Sequence, residues 1–404
     1  MMRAFDRNQK QMISAVAVIE VLRMFGIFLV VPVFTLYGKI YTDSSILIGI
    51  ALGAYGLTMA LFQAPFGILS DRFGRKNVII LGMIPYIIGN LIAWHPFNIY
   101  GLIIGRLVAG AGAVTSSGMA MVQESVPQNR RNIAMAILGI PIGFSFMVGL
   151  VLGPYLSGIF GPSFLFLLSG ILGIAGIFPM MRVKYRKPEM TAKERRSAGR
   201  IQGRAILVGA VGFLISLYMI VFFYYLPLYG TSAYGTHGYD LLLLWPVIIG
   251  GIVAVGSSGF ADRGKTTMFS VISLAVMLVS VPLVFLAPHY TGNRNWFFVG
   301  AIVFFSGFSI YEIVFYPLIS RISKRDSYGA NIGIYNTMQF SGQFIGGVSG
   351  GILVTLTLTE ASLLRTTVTL SIIVALSLIF LYLATHFREI TRNPDDKGDA
   401  ATDE

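Results

Sequence analysis

An all-α membrane protein, with twelve transmembrane helices in two six-helix bundles, is the fold class this sequence predicts, and three observations carry the prediction. The chain of 404 residues is 55% hydrophobic and only 12% charged, with mean hydropathy +0.74, whereas soluble domains carry about 25% charged residues. Its apolar residues gather into twelve runs of roughly 20 or more, the length a helix needs to cross a bilayer. One basic polar segment in the middle separates six runs from six. In lipid every backbone polar group must be satisfied within its own segment, and the runs lack the two-residue alternation of barrel strands, so helices are the form expected.

The N-terminal "MMRAFDRNQKQ" leads into the first run, near 12–36. That run is too long for a signal-peptide core and has no small-residue exit, so it is expected to stay as an anchor. Spans follow near 44–69, 77–95, 98–124, 132–158 and 162–181, closing an N-terminal bundle over 1–181. The segment 182–204, "RVKYRKPEMTAKERRSAGRIQGR", reads as a solvated linker lying against anionic head groups. A second series near 203–229, 240–260, 267–287, 295–318, 329–356 and 361–386 makes a C-terminal bundle over 205–386. The tail, 387–404, has no apolar periodicity and is expected to be disordered.

The net charge of +12 is not gathered into a basic domain, so nucleic acid is not an expected partner. Placing the N-terminus and every second loop on one side collects 25 of the 30 basic residues there, which makes both termini cytoplasmic in a multi-pass plasma-membrane protein. With no cysteine in the chain, disulfides, thiol catalysis and Cys-ligated metals are excluded. No loop carries a phosphate-cradling lysine motif or metal-ligand spacing, so neither an enzyme nor a cofactor or metal is expected. Energy for any transport has to come from a gradient.

Between the second and third spans the chain reads "GILSDRFGRKN", with Gly67, Asp71, Arg72, Gly74, Arg75 and Lys76. A weaker copy, "GFADRGKTT", brings Asp262 and Arg263 to the same place in the second half. Such a half-chain repeat is the arrangement in which transporters place a site between their halves. The fourth span holds "LIIGRLVAGAGA" around Arg106, and the fifth holds "GLVLGPYLSG" with Gly149, Gly153 and Pro154. These three motifs, in the correct spans, resemble the signatures of the major facilitator superfamily, and the fifth-span motif resembles that of its drug:proton antiporters. "LRMFGIFLVVPVFTLYG" in the first span and "GIYNTMQFSGQFIGGVSGG" in the eleventh resemble the YajR group of predicted multidrug efflux proteins. The resemblance implies that Arg106 lies near a proton-coupling site, holding a carboxylate or tuning it. It also implies that Asp71 contacts a helix end of the other half when the transporter faces outward. Glu124, close enough to the end of the fourth span to reach water, is grouped with this motif. Gly149, Gly153 and Pro154 are expected to bend the fifth helix.

Ionisable groups inside the spans default to functional candidates, because each is costly in lipid. They are Glu20, Arg23, Arg106 and Glu312. Glu20 and Arg23, three apart, share a helix face and can pair, either for transport or simply to let the helix insert. Glu312, beside Tyr311, suits a proton or a cationic substrate, or else a helix–helix hydrogen bond. Tyr218, Phe222 and Tyr225 form a stripe on the seventh span, and Tyr335, Gln339 and Gln343 one on the eleventh. Both stripes can be packing or the lining of a cavity for an amphipathic ligand. The expected function is alternating-access transport by a monomer, with a small-molecule substrate, protons and the bilayer as partners, most simply efflux of amphipathic compounds against protons. A sugar or metabolite symporter shares the fold, and a membrane sensor or scaffold is the reading of another class.

Overall fold

The computed structural model describes residues 5–127, 130–185, 202–260, 266–322, 328–356 and 360–386. Most of the expected linker, the second motif copy with Asp262 and Arg263, and the tail 387–404 lie outside the described residues. Among the described residues, ten segments are long and apolar enough to cross a membrane. A shorter apolar helix, Leu242–Ser257, and the helix Tyr328–Leu356 supply the remaining two expected spans.

The first span opens as α1, Arg7–Val30, on a capping box: the Asp6 carboxylate accepts from the Gln9 N–H at 2.7 Å and the Gln9 side chain accepts from the Asp6 N–H at 3.2 Å. A 3-10 turn at Val31–Val33, built on Pro32, interrupts it before α2, Phe34–Lys39. The second and third spans are α3, Ser45–Phe73, and α4, Arg75–Trp94. Gly74, at φ 88°, makes the tight turn between them, a conformation that side chains with a Cβ avoid.

The fourth span is not one helix but two, α5 at Ile99–Gly110 and α6 at Thr115–Ser125. The break follows Gly110, which lies so close to α3 that a Cβ there would be 3.0 Å from the Tyr55 carbonyl carbon. The fifth and sixth spans are α7, Arg131–Phe160, and α8, Pro162–Met181. α7 continues as one helix through Pro154, and Gly149 and Gly153 serve close packing, since a Cβ on Gly153 would lie 3.0 Å from the Leu29 carbonyl carbon.

In the second half, the loop expected near 230–239 is helical. A single run, α9, spans Gly203–Phe260 and is broken only at Gly235, φ 72°. Then come α10, Thr266–Phe285, the short α11, Ala287–Thr291, α12, Asn295–Ile322, α13, Tyr328–Leu356, and α14, Glu360–His386.

Within the first six spans α1 packs on α7 and α8, α4 on α5 and α8, and α3 on α5; within the last six α9 packs on α12, α13 and α14, and α10 on α12 and α14. The halves meet along α3 and α13. There Gly49, Gly53 and Gly56 face Phe340, Phe344, Gly347 and Gly351, so close that a Cβ on Gly53 would sit 2.7 Å from the Phe344 carbonyl oxygen. Small residues let backbones approach where lipid gives no hydrophobic drive between helices. Hydrogen bonds between the halves cluster at this end, distant from the termini. The Tyr239 hydroxyl donates to Pro32 O at 2.6 Å, the Tyr224 hydroxyl to Ser45 O at 2.8 Å, and Thr35 Oγ1 to Tyr224 O at 3.2 Å.

Candidate functional site

The charges inside the first half form one buried cluster. Arg23 Nη2 lies 2.7 Å from Glu20 Oε2, both side chains withdrawn from solvent. Arg23 Nη2 also donates to Thr115 Oγ1, whose hydroxyl donates back to Glu20 Oε2 at 3.3 Å. The other guanidinium nitrogen donates to the Tyr55 hydroxyl at 3.2 Å and touches Met59 Sδ at 3.8 Å. Three helices therefore hold the pair: α1 supplies both charges at i, i+3, α3 supplies Tyr55, and the break in the fourth span presents Thr115. A Cβ on Gly118 would come within 3.6 Å of Glu20 Oε1, so the small face after the break admits the carboxylate.

Of the two roles expected of Arg106, holding a carboxylate is not seen among the described residues. Only 3% exposed, it forms no ion pair with a carboxylate among the described residues. Its guanidinium carbon lies 4.9 Å from the centre of the Tyr55 ring and 5.4 Å from that of Phe34, and its Nε has no hydrogen-bond partner. The cause is placement: Tyr55 stands between the two arginines, offering its ring face to Arg106 and its hydroxyl to Arg23. Cation–π contact replaces the expected carboxylate. Sequence reasoning missed Tyr55, Met59 and Gln63, which recur every four residues on one face of α3, and Thr115. The signal was that spacing of polarisable or polar residues in an apolar span. Gln63, 1% exposed, has neither amide atom hydrogen-bonded.

The loop motif forms a second cluster. Arg75 Nη2 lies 2.6 Å from both Asp71 Oδ1 and Glu124 Oε1, and Nε donates to Glu124 Oε2 at 3.4 Å. Nη1 reaches Gly67 O at 3.3 Å and the Ser70 hydroxyl. The Tyr185 hydroxyl donates to Glu124 Oε2 at 2.7 Å. Burial and this bond raise that phenol's pKa above its ordinary value, so it stays a donor. Lys76 Nζ donates to Met181 O and Val183 O, each at 2.8 Å, capping the orphan carbonyls at the end of α8. Arg72 is exposed. The motif thus ties the ends of α3, α4, α6 and α8 together within the first half. Nothing lies within 4 Å of where a Gly67 Cβ would stand.

In the second half Tyr218 and Phe222 are fully buried. Tyr218 is hydrogen-bonded to Ser280 at 2.8 Å, and Phe222 is stacked on Phe304 at 3.8 Å. Tyr225 packs on Phe285 and Tyr229. The seventh-span stripe is therefore packing inside its own half, not a surface facing the first half. Tyr311 and Tyr335 are buried and share a hydroxyl–hydroxyl bond of 2.7 Å, while Gln339 and Gln343 are half-buried. Phe308 on α12 meets Phe146 of the first half at 5.3 Å. Glu312 follows one turn later on that face, half-buried and with no hydrogen bond or ion pair among the described residues. The structure thus brings Glu20 and Arg23 together with Arg106 nearby, and leaves Glu312 apart.

Fold and site together define a multi-pass, all-helical membrane protein with charges buried inside its spans. The chain belongs to the Major Facilitator Superfamily, whose sequence model matches residues 16–347, a family of transporters and not of enzymes. It is 34% identical over 342 residues, 82% of this chain and 74% of the relative, to the inner membrane transport protein YajR of Escherichia coli K12, and stands with the YajR group. It is 31% identical over 156 residues, 37% of each chain, to the class H tetracycline resistance protein of Pasteurella multocida. A D-xylose-proton symporter structure shares the fold, with TM-score 0.75 at 15% identity over 92% of this chain and 97% of that one.

Proposed function

We propose that this transporter exports amphipathic organic compounds in exchange for protons, by rocking of two six-helix bundles, residues 1–181 and 205–386, about a site between them. The observation that carries the reading is Glu312, a carboxylate with no partner among the described residues, within a span on the helix face that meets the other half. A charge left unpaired at that depth costs about 2.5–3.5 kcal/mol or more, so the halves close over it readily only once it is neutralised. A proton neutralises it, and so does the cationic group of a substrate. One carboxylate cannot accept both, and that mutual exclusion is what exchange requires.

Glu20 is already paired with Arg23. The state described is joined at the end distant from the termini. With both termini cytoplasmic, as the distribution of lysine and arginine favours, this is the state facing the cytoplasm, and Asp71 then rests on Arg75 until the loop moves against the other half.

In proteoliposomes with an imposed pH gradient, an exported dye cation should drive proton movement in the opposite direction, and Glu312→Gln should abolish this coupling while Glu20→Gln weakens it. Unchanged coupling in both variants overturns the reading. Movement of dye and proton in the same direction would make the protein a symporter.

A further inference from the structure

A groove of about 380 Å³ lies outside the buried clusters, where α1 and α8 run side by side at the end that bears the termini. Gln11, Ser14, Ala15 and Val18 line one wall and Phe178, Pro179 and Arg182 the other. The two helices are antiparallel, yet both walls grade in the same direction. On α1 the polar Gln11 and Ser14 stand at the outer end, with Ala15 and Val18 deeper. On α8 Phe178 and Pro179 stand deeper, with Arg182 at the outer end. Gln11 Nε2 donates to Arg182 O at 3.1 Å, which ties the two walls together at that end without using the Arg182 guanidinium.

That guanidinium is exposed and pairs with no carboxylate among the described residues. Arg7 and Lys10 on α1 and Lys184 after α8 add positive charge at the same end, while the nearby acid, Asp6, is occupied as the cap of α1. An exposed, membrane-level cleft that is apolar below and cationic above matches the profile of a phospholipid whose head group carries net negative charge. A zwitterionic lipid lacks the charge, and a soluble anion has no use for the apolar floor.

The geometry points to a binding site for one anionic phospholipid, its acyl chain along Ala15, Val18 and Phe178 and its phosphate at Arg182. One basic residue beside an anionic lipid head group contributes about five-fold in affinity. Such a lipid would brace the first and sixth spans, the same helix end that Lys76 caps.

Native mass spectrometry of the purified full chain tests this, titrating phosphatidylglycerol, phosphatidylcholine or glycerol 3-phosphate. Wild type is expected to hold one phosphatidylglycerol at concentrations where phosphatidylcholine does not bind. Arg182→Gln should reduce this preference about five-fold and Arg182→Lys should keep it, while Ser14→Trp, on an exposed position of the wall, should exclude the lipid by filling the groove. Equal retention of the two lipids overturns the site, and so does a preference that survives both Arg182→Gln and Ser14→Trp. Displacement of phosphatidylglycerol by equimolar glycerol 3-phosphate would assign the site to a free anion and overturn the lipid.

Discussion

At residue scale, the buried pair of Glu20 and Arg23 depends on each member for the other's presence. Removing one partner of a buried ion pair leaves an uncompensated charge and costs about 3–5 kcal/mol. Glu20→Ala should therefore lower the melting temperature of the purified protein sharply. Glu20→Gln keeps an acceptor for Arg23 and Thr115 and should lower it far less, even though it removes the titrating group. Equal melting of the two variants would mean that the pair is not what holds α1 to the fourth span. Arg106 escapes the same penalty by another route, spreading its charge over the Tyr55 and Phe34 rings, where lysine would lose the planar stacking.

At the scale of elements, the glycines of α3 divide into two kinds. Gly53 lies against the backbone of α13, where even one methyl group meets Phe344 at 2.7 Å. Gly67, near the C-terminal end of the same helix, faces open space. Gly53→Val should push the halves apart and increase labelling of a single cysteine at Ser45, read by maleimide accessibility in this cysteine-free chain. Gly67→Leu should leave melting unchanged and still reduce flux, because its space is needed only when the motif loop closes on the other half. Normal flux in Gly67→Leu would reduce that glycine to a helix residue of no special role. Arg75 illustrates how an element end is held: its forked guanidinium serves Asp71, Glu124, Ser70 and Gly67 at once.

At the scale of the whole molecule, the halves are joined at one end by backbone-to-backbone contact and by the hydroxyls of Tyr239, Tyr224 and Thr35. The proposed alternating-access cycle requires that end to separate in each turnover. A short bifunctional thiol reagent bridging Thr35→Cys and Tyr224→Cys should arrest flux, and cleaving the bridge should restore it. Continued flux through the bridged protein would show that this end stays closed throughout the cycle. The aromatic line from Tyr218 through Phe304 and Phe308 to Phe146 and Phe28 crosses from one half to the other.

The number of spans, their order and the pairing of Glu20 with Arg23 follow from sequence alone. Bilayer thickness dictates run length, and helix periodicity places residues three apart on one face. Where a span breaks was not legible. Pro32 and the glycines around 110–112 read as ordinary span residues, and the break at the fourth span falls where Gly110 lies against α3 and Gly112 against α4, contacts between distant segments. The seventh-span stripe had the right period for either packing or lining, and only the position of Phe304 beside Phe222 decided for packing. Arg106 carried a charge whose partner the sequence could name only as a class. Its neighbours turned out to be aromatic because Tyr55, on another helix, occupies the space where a carboxylate was expected. Local periodicity fixes which face of a helix carries a group, but what that face meets is decided by helices remote in the chain, and so belongs to the tertiary structure.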